Sequence, residues 1–259
     1  MLDAILRHKR AEIQRLPEVS EDEVRPCDCD FRTALTVPGL SFITEVKRRS
    51  PSGGDLAPNA DPVAQAMTYV AGGCAAISVL TDARFFGGSF DDLARVAAVV
   101  PVPVLCKDFI LDERQVRLAR KCGAAACLLI AAALPDSDLR SLIEAVRLLR
   151  MTPLVEVHDE TELARAIEAG ADVIGVNNRN LKTMQVDLTT VSRLAPRVPS
   201  GRVLVAESGY DSEEALRRLS NRADAVLIGS ALMRSADPTE TLRGWRAALE
   251  TEHTRPERI

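Results

Sequence analysis

The chain has 259 residues, of which 46% are hydrophobic and 27% are charged, and its formal net charge is -4. These values describe a globular protein with enough apolar residues for one α/β barrel or for two small domains. The sequence has no long basic run and no apolar run of transmembrane length, so we expect neither nucleic acid nor a membrane as a partner. The charged amino terminus does not resemble a secretion signal, and we predict a cytoplasmic protein.

The cysteines and histidines do not predict a metal site. Cys27 and Cys29 form a C-x-C pair, but neither a second pair nor a nearby histidine completes a zinc-binding set. Cys74, Cys106 and Cys127 lie in or beside predicted strands, where cysteine usually behaves as a small buried apolar residue. We therefore expect no bound metal.

Strand and helix patterns alternate along the chain after an amino-terminal extension. Apolar residues at helical spacing predict an amphipathic helix over residues 2–16, and the acidic stretch 17–30 predicts a linker. Apolar runs then predict eight buried strands, which start at Ser41, Ala75, Val102, Ala126, Pro153, Val173, Val203 and Ala225. A helix is predicted after each strand, first from Asp61 onward and then over residues 91–100, 112–121, 136–150, 159–169, 187–194, 211–219 and 238–249.

Eight strand–helix units in a chain of this length predict a single (β/α)8 TIM barrel of the α/β class, with an extra amino-terminal helix. Short Gly/Ala motifs before the even-numbered strands repeat about every fifty residues, which is one βαβα unit. An open doubly wound sheet is the alternative, but its first loop usually reads G-x-G-x-x-G, whereas residues 50–54 read S-P-S-G-G. We divide one domain, residues 1–259, into a helix and linker (1–40), the barrel (41–250) and a tail (251–259).

Charged residues stand at the ends of the odd-numbered predicted strands. Glu45 and Lys47 end the first strand and, being two residues apart, project from the same face. Lys107 ends the third strand, Glu156 the fifth and Glu207 the seventh. Because alternate strands share an interior layer and active sites lie at the carboxyl ends of barrel strands, these five groups can converge. Together they would have shifted pKa values suited to acid–base catalysis, whereas separately each would be a solvated surface charge.

Two polar residues stand near this group. Asn177 ends the sixth predicted strand, in the segment G-V-N-N-R-N. His158 comes two residues after Glu156 and next to Asp159, which is expected to cap a helix. We therefore interpret His158 as a loop residue and not as a catalyst.

Small residues at the ends of the last two strands predict an anion site. Ser208 and Gly209 follow the seventh strand, and Gly229 and Ser230 follow the eighth. A short helix over residues 231–234 would direct its amino terminus inward, where free backbone N–H groups and the helix dipole attract a phosphate. The alternative is that these glycines serve only as turn residues.

Seven segments taken together resemble the indole-3-glycerol phosphate synthase family: E-V-K-R-R-S-P-S-G, L-T-D-A-R-F-F-G-G-S, L-C-K-D-F-I, V-E-V-H, I-G-V-N-N-R-N-L, V-A-E-S-G and L-I-G-S-A-L-M. The resemblance implies a (β/α)8 carboxy-lyase of tryptophan biosynthesis. Such an enzyme converts 1-(2-carboxyphenylamino)-1-deoxyribulose 5-phosphate to indole-3-glycerol phosphate, with loss of carbon dioxide and water. It implies no cofactor, because an iminium-like intermediate accepts the electrons that decarboxylation releases.

The resemblance also implies roles for particular residues. Lys107 would protonate the substrate carbonyl, Glu156 would act as an acid in dehydration, and Lys47 would pair with the substrate carboxylate and share the acid role. The residues expected to position the lysines and the sugar hydroxyls are Glu45, Asn177 and Glu207. The expected phosphate ligands are Ser50, Ser208, Gly209, Gly229 and Ser230. The expected wall for the aromatic ring consists of Phe86, Phe109, Leu128 and Leu181, with Arg179 at the pocket mouth.

Other interpretations stay open from the sequence. Lys107 would be the nucleophile of a Schiff-base aldolase acting on a phosphosugar, or the barrel would only bind a phosphosugar. The chain departs from the family pattern at the glycine-rich pair Gly53 and Gly54 and at Tyr210, where an aliphatic residue is common. We expect a monomer or a weak homodimer that acts on a small phosphorylated substrate and carries no isomerase domain.

Overall fold

The computed structural model describes residues 1–24, 29–51, 53–219 and 222–250. Eight parallel strands close into a barrel: β1 Ser41–Val46, β2 Ala76–Leu80, β3 Val104–Lys107, β4 Ala126–Ile130, β5 Thr152–Val157, β6 Val173–Asn177, β7 Val203–Glu207 and β8 Ala225–Ile228. Pairing of Ser41 with Ala225 joins the first strand to the last. The predicted (β/α)8 barrel is therefore confirmed, whereas Cys27 and the predicted tail lie outside the described residues.

Helices surround the barrel and extend its amino terminus. Their bounds are α1 Leu2–Ile13, α2 Phe31–Ala34, α3 Pro62–Gly72, α4 Ala83–Phe86, α5 Phe90–Ala97, α6 Glu113–Lys121, α7 Asp136–Leu148, α8 Glu160–Glu168, α9 Thr189–Leu194, α10 Glu213–Leu219, α11 Ser230–Arg234 and α12 Pro238–Glu250. The side chains of Asp61, Asp112 and Asp159 cap α3, α6 and α8 by accepting backbone N–H groups, as was predicted for Asp159. The predicted helices are therefore found at the correct places, with differences at their ends, whereas α2 and α4 were not predicted.

The two faces of each strand belong to two different cores. On β1, Phe42 and Val46 pack among the helices, whereas Ile43 packs in the barrel interior. Glu45 follows Ile43 by two residues and therefore projects to the interior as well. This alternation explains why the strands read as continuous apolar runs, because both faces are buried.

The amino-terminal extension contributes to both ends of the barrel. Met1, at the start of α1, and Leu2 and Ile5 of α1 line the cavity at the carboxyl ends of the strands. Arg32 of α2 donates a hydrogen bond to the carbonyl of Gly201, just before β7, which places α2 at the opposite end. The sequence patterns did not predict α2, because its four residues are too few to show helical periodicity.

A buried lysine attaches α1 to the barrel. The side chain of Lys9 is 0% exposed, and its Nζ lies 2.8 Å from Asp108 Oδ1 and 3.0 Å from Asp82 Oδ2. Burial disfavours the Lys9 ammonium, but Asp108 and Asp82 outweigh burial and hold the pKa of Lys9 above its ordinary value. Glu12 forms a third ion pair with Lys9. Asp108 directly follows Lys107, and Asp82 caps the helix that carries Phe86, so this contact supports two walls of the cavity.

Replacement of Lys9 by Met is expected to lower the free energy of unfolding by about 3 kcal/mol, because it leaves two buried carboxylates without their cation. Denaturant titration of both proteins measures this difference. Lys121→Met is the matched control and should change stability little, since Lys121 pairs with Glu23 on the surface. Equal stability of the Lys9→Met and Lys121→Met proteins would contradict this interpretation.

Candidate active site

A cavity of about 540 Å³ opens at the carboxyl ends of the strands, which is the size of a pocket for a small ligand. Every residue that the sequence predicted for the site lines this cavity. They are Glu45, Lys47, Ser50, Phe86, Lys107, Phe109, Leu128, Glu156, Asn177, Arg179, Leu181, Glu207, Ser208, Gly209, Gly229 and Ser230. The predicted convergence of the strand ends is therefore observed, and the role of each residue is a separate question.

Two lysines and three glutamates form the floor of the cavity. Lys47 Nζ lies 2.6 Å from Glu45 Oε1, so Glu45 in β1 and Lys47 directly after β1 form an ion pair. Lys107 Nζ lies 3.5 Å from an oxygen of both Glu156 and Glu207. The three carboxylates are at most 4% exposed, so these charges interact in a medium far less polarisable than water.

The lysines on the floor favour ionisation of Glu45, and the carboxylates in turn stabilise the Lys107 ammonium. Burial opposes ionisation of Glu45, but Lys47 and Lys107 outweigh it and hold its pKa below the ordinary value. Burial likewise disfavours the Lys107 ammonium, but Glu207, Glu156 and Glu45 outweigh burial and raise its pKa. Lys107 is therefore protonated at neutral pH.

Glu156 and Glu207 differ in charge although both contact Lys107. Burial opposes ionisation of Glu156, but Lys107 and His158 outweigh it and lower its pKa. Burial and the neighbouring Glu156 together raise the pKa of Glu207 to about 8, against the opposing effect of Lys107. The opposite directions of these two shifts favour a negative charge on Glu156 and a proton on Glu207.

His158 lies much closer to the site than its sequence position indicated. Its Nε2 lies 3.2 Å from Glu156 Oε1, and its Nδ1 lies 2.9 Å from Glu162 Oε2. Burial disfavours the imidazolium, but Glu156 and Glu162 outweigh burial and raise the pKa of His158 to about 10. His158 lies in the loop between β5 and α8, as predicted. Its contact with Glu156 was not predicted, because strand periodicity gives no information about a side chain beyond the strand end.

Two glycines, one in β6 and one directly after β8, make room for the carboxylates. A Cβ at Gly229 would lie 2.6 Å from Glu45 Oε1, and a Cβ at Gly175 of β6 would overlap the carboxylate of Glu207. Gly175 was not predicted as a site residue. Its signal in the sequence is a glycine inside an apolar run, which often marks a close approach of another group.

The Gly175→Ala substitution is expected to displace Glu207, to lower kcat/KM about a hundredfold and to destabilise the fold by about 2 kcal/mol. Steady-state kinetics and denaturant titration measure these two effects. Gly244→Ala is the matched control, because a Cβ at Gly244 of α12 meets no atom within 4 Å. An unchanged kcat/KM of Gly175→Ala would contradict this prediction, because it would show that displacement of Glu207 does not affect catalysis.

The Glu207→Gln substitution is expected to stabilise the protein increasingly as the pH rises. In the folded chain Glu207 keeps its proton up to about pH 8, whereas an unperturbed glutamate loses its proton near pH 4.5. The free energy of unfolding of the wild type therefore decreases as the pH rises from the lower to the higher of these two values. The amide removes this loss, which is roughly 1.4 kcal/mol for each pKa unit.

Denaturant titrations at pH 5 and pH 9 measure the pH dependence of the Glu207→Gln effect. Glu213→Gln on the exposed side of α10 is the control and should show the same small effect at both values. A Glu207→Gln effect that is equal at both pH values would contradict burial of an acidic proton at Glu207.

The ends of β7 and β8 form the expected phosphate side of the cavity. Ser208 and Gly209 both have positive φ, 64° and 88°, and this backbone turns their loop toward the cavity. The carbonyl of Ser208 accepts a hydrogen bond of 3.0 Å from Asn178 Nδ2. Helix α11 begins at Ser230, one residue before its predicted start, and Ser230 lines the cavity.

The other side of the cavity is apolar. The rings of Phe86 and Phe109 lie 6.1 Å apart between centroids, and Leu128 and Leu181 line the same cavity. Arg179 is half-buried, its guanidinium donates to the carbonyl of Met184, and burial lowers its pKa. A ligand with an aromatic ring at one end and a phosphate at the other end matches this distribution of side chains.

The fold and the cavity define a (β/α)8-barrel enzyme, with convergent acid and base groups at the carboxyl ends of its strands. A family model described as "Indole-3-glycerol phosphate synthase" matches residues 2–244. The chain belongs to the indole-3-glycerol phosphate synthase family, and the predicted family and enzyme class are confirmed.

Curated relatives carry the same name. A protein named indole-3-glycerol phosphate synthase from Nocardioides sp. is 53% identical over 82% of this chain and 81% of its own length. The protein of that name from Mycolicibacterium gilvum is 46% identical over 99% and 96%. Indole-3-glycerol phosphate synthase 1 from Streptomyces coelicolor is 48% identical over 96% of both chains.

Solved structures support the fold alone. A crystal structure of KGPDC from Streptococcus mutans is 10% identical, with a TM-score of 0.64 over 82% of this chain and 98% of that chain. Thiamine phosphate pyrophosphorylase from Pyrococcus furiosus is 17% identical, with a TM-score of 0.61 over 86% and 98%. Within the part of the chain that the structure describes, no helix is long and apolar enough to cross a membrane.

Proposed function

We propose that this chain closes the pyrrole ring of 1-(2-carboxyphenylamino)-1-deoxyribulose 5-phosphate and releases carbon dioxide and water, which gives indole-3-glycerol phosphate. One observation carries the proposal. Lys107 lies 3.5 Å from both Glu156 and Glu207 in a cavity that has aromatic residues on one side and the β7 and β8 loops on the other. The substrate has the matching order of groups, a carboxylated aromatic ring, a ketose and a phosphate.

Binding orients the substrate across the barrel. The loops at Ser208, Gly209 and Ser230 offer backbone N–H groups to the phosphate, with Ser50 on the facing loop and Gly229 at the end of β8. The aromatic ring lies between Phe86 and Phe109, and Arg179 closes this end. Asn177 and Glu45 lie between the two ends, where the sugar hydroxyls pass.

Ring closure needs an acid at the ketone. The ring carbon that carries the carboxylate attacks the carbonyl carbon, and the carbonyl oxygen gains a proton as the new bond forms. The raised pKa of Lys107 keeps its ammonium charged until this step, and Glu156 and Glu207 hold it in place. Lys107 therefore serves as the general acid of ring closure.

Decarboxylation follows without an external electron acceptor. Ring closure leaves an iminium group in the six-membered ring, and the electrons of the broken carbon–carboxylate bond restore aromaticity. Lys47 binds the substrate carboxylate while Glu45 fixes the lysine at 2.6 Å. Burial of this ion pair keeps the carboxylate of the substrate away from bulk water, which favours its departure as uncharged carbon dioxide.

Dehydration needs both an acid and a base. The hydroxyl group leaves as water after gaining a proton, and the carbon next to nitrogen loses a proton to complete the pyrrole ring. Glu207 carries a proton near neutral pH and Glu156 carries a charge, so the pair can supply both functions. This assignment differs from the sequence-based one, in which Glu156 was the acid.

The Schiff-base alternative is disfavoured by the same charges. An aldolase lysine attacks as a neutral amine and is usually found with a lowered pKa, whereas three carboxylates raise the pKa of Lys107. Borohydride reduction in the presence of substrate tests this directly. We expect no covalent adduct on Lys107, and an adduct would favour the aldolase.

A fluorescence time course with purified protein, substrate and a metal chelator tests the proposed function. Growth of the indole signal in the presence of the chelator is expected. Binding of the substrate without any indole signal would refute the proposed reaction and favour a barrel that only binds phosphosugars. The action of this chain as a cytoplasmic monomer or weak homodimer, and as one domain over residues 1–259, stays a prediction.

A further inference from the structure

Glu156 differs from Glu207 in the number of cations that it contacts. Its Oε2 lies 3.5 Å from Lys107, and its Oε1 lies 3.2 Å from His158 on the other side. Among the described residues, the carboxylate of Glu207 forms an ion pair with Lys107 alone. Lys107 is common to both carboxylates, so the difference in paired cations comes from His158.

The position of His158 is fixed by a second carboxylate outside the cavity. Glu162 Oε2 lies 2.9 Å from His158 Nδ1 and also accepts the backbone N–H of His158 at 2.9 Å. Glu162 belongs to α8, and its carboxylate is 15% exposed while the His158 side chain is 11% exposed. The imidazole is thus held between two acidic groups and does not line the cavity itself.

The charged surroundings of this pair come from several elements. Glu156 faces Lys107 of β3, Asn177 of β6, Glu207 of β7 and Glu45 of β1. His158 faces Glu156 and Glu162. These surroundings contain no other cation next to Glu156 within the described ranges, so neutralising His158 would leave Glu156 with Lys107 only.

We propose that His158 is a positioning residue that fixes the negative charge on Glu156 and so directs the proton of the carboxylate pair to Glu207. His158 does not touch the substrate and acts through Glu156. This role of His158 specifies which carboxylate is the acid and which is the base. Its effect on turnover rests on the proposed function. Asn177 also donates a hydrogen bond to Glu156, but among the described residues His158 is the one charged group that pairs with Glu156 and not with Glu207.

Titration of the histidines by NMR tests the charge on His158 without any turnover. The chain contains three histidines, and the variants His8→Gln and His253→Gln assign the other two signals. We expect His158 to remain protonated from about pH 5 to about pH 9, because both of its carboxylate partners raise its pKa. A titration midpoint near the ordinary value of about 6.5 would overturn the proposal.

The pH profile of kcat for His158→Gln tests the effect on the carboxylate pair. Glutamine keeps a hydrogen-bond donor but carries no charge, so the pKa of Glu156 should rise and that of Glu207 should fall. We expect each limb of the profile to move inward by about one pH unit, because a charged neighbour shifts a carboxyl pKa by about one to three units. A uniform decrease of kcat with unmoved limbs would indicate a purely structural role and overturn the proposal.

Two further variants serve as a control and as a substitute for His158→Gln. His8→Gln is the control for the kinetic profile and should leave both limbs in place. If His158→Gln does not fold, Glu162→Gln tests the charge on His158 by removing its second carboxylate partner. The titration midpoint of His158 measured by NMR should then decrease by about one pH unit. A wild-type protein that forms no indole would refute the proposed function, whereas the NMR titration would still decide the charge on His158.

Discussion

Replacement of Lys107 by Met is expected to lower kcat by about 10⁴-fold while the protein remains folded. The ammonium is the proton donor of ring closure, and general acid catalysis contributes up to about this factor. The fold should survive because the carboxylates that Lys107 contacts, Glu156 and Glu207, can take up protons when their cation is lost. The measurements are kcat, and the Kd of a substrate analogue in which the ketone is reduced.

The stability of the Lys107→Met protein should depend on pH in a defined direction. At low pH the orphaned carboxylates are protonated and the melting temperature should stay near the wild-type value, whereas it should fall as the pH rises above neutrality. Lys121→Met on the surface is the control for both activity and stability. A value of kcat within tenfold of wild type would exclude Lys107 as the acid, and unfolding at every pH would make it a structural ion-pair partner.

The second large effect is expected for Glu156→Gln, with a kcat about 10³-fold lower and a substrate Kd changed only a few-fold. The amide keeps the shape of the side chain, but it neither carries a charge nor transfers a proton. Stopped-flow binding and single-turnover kinetics separate the two quantities. The substitution should also lower the pKa of His158, because one of its two acidic partners is lost.

Glu168→Gln on α8 is the control for this substitution, because that carboxylate is 74% exposed and lies on the surface against Arg140. It should leave both kcat and Kd unchanged. An unchanged kcat for Glu156→Gln would remove Glu156 from the mechanism. A large increase in Kd with little change in kcat would instead make Glu156 a binding residue.

The sequence predicted the barrel and the charged floor of the cavity because both depend on simple periodicity. A strand places every second residue on the same face, so Glu45 and Lys47 belong together, and alternate barrel strands add Lys107, Glu156 and Glu207 to one layer. The structure brings these five residues together as expected. Their neighbours were predictable only where short segments resemble a known family.

Contacts between distant segments were not predictable in the same way. Lys9 lies on the apolar face of α1 with Ile5 and Ile13, which was a signal for a buried cation, but its partners Asp82 and Asp108 lie in loops without periodicity. Gly175 appears in the sequence as one small residue in an apolar run. The carboxylate of Glu207 explains why this residue is a glycine. Glu207 belongs to the neighbouring strand β7, so the contact is visible only in the folded chain.

The central claim is that one cavity closes a ring and removes a carboxylate in the same reaction cycle. A single-turnover experiment with excess protein and substrate labelled with ¹³C at the carboxylate tests it most directly. We predict one labelled carbon dioxide for each indole formed, with both signals lost together in Lys107→Met. Carbon dioxide without indole, or a covalent adduct on Lys107 with neither product, would contradict the account.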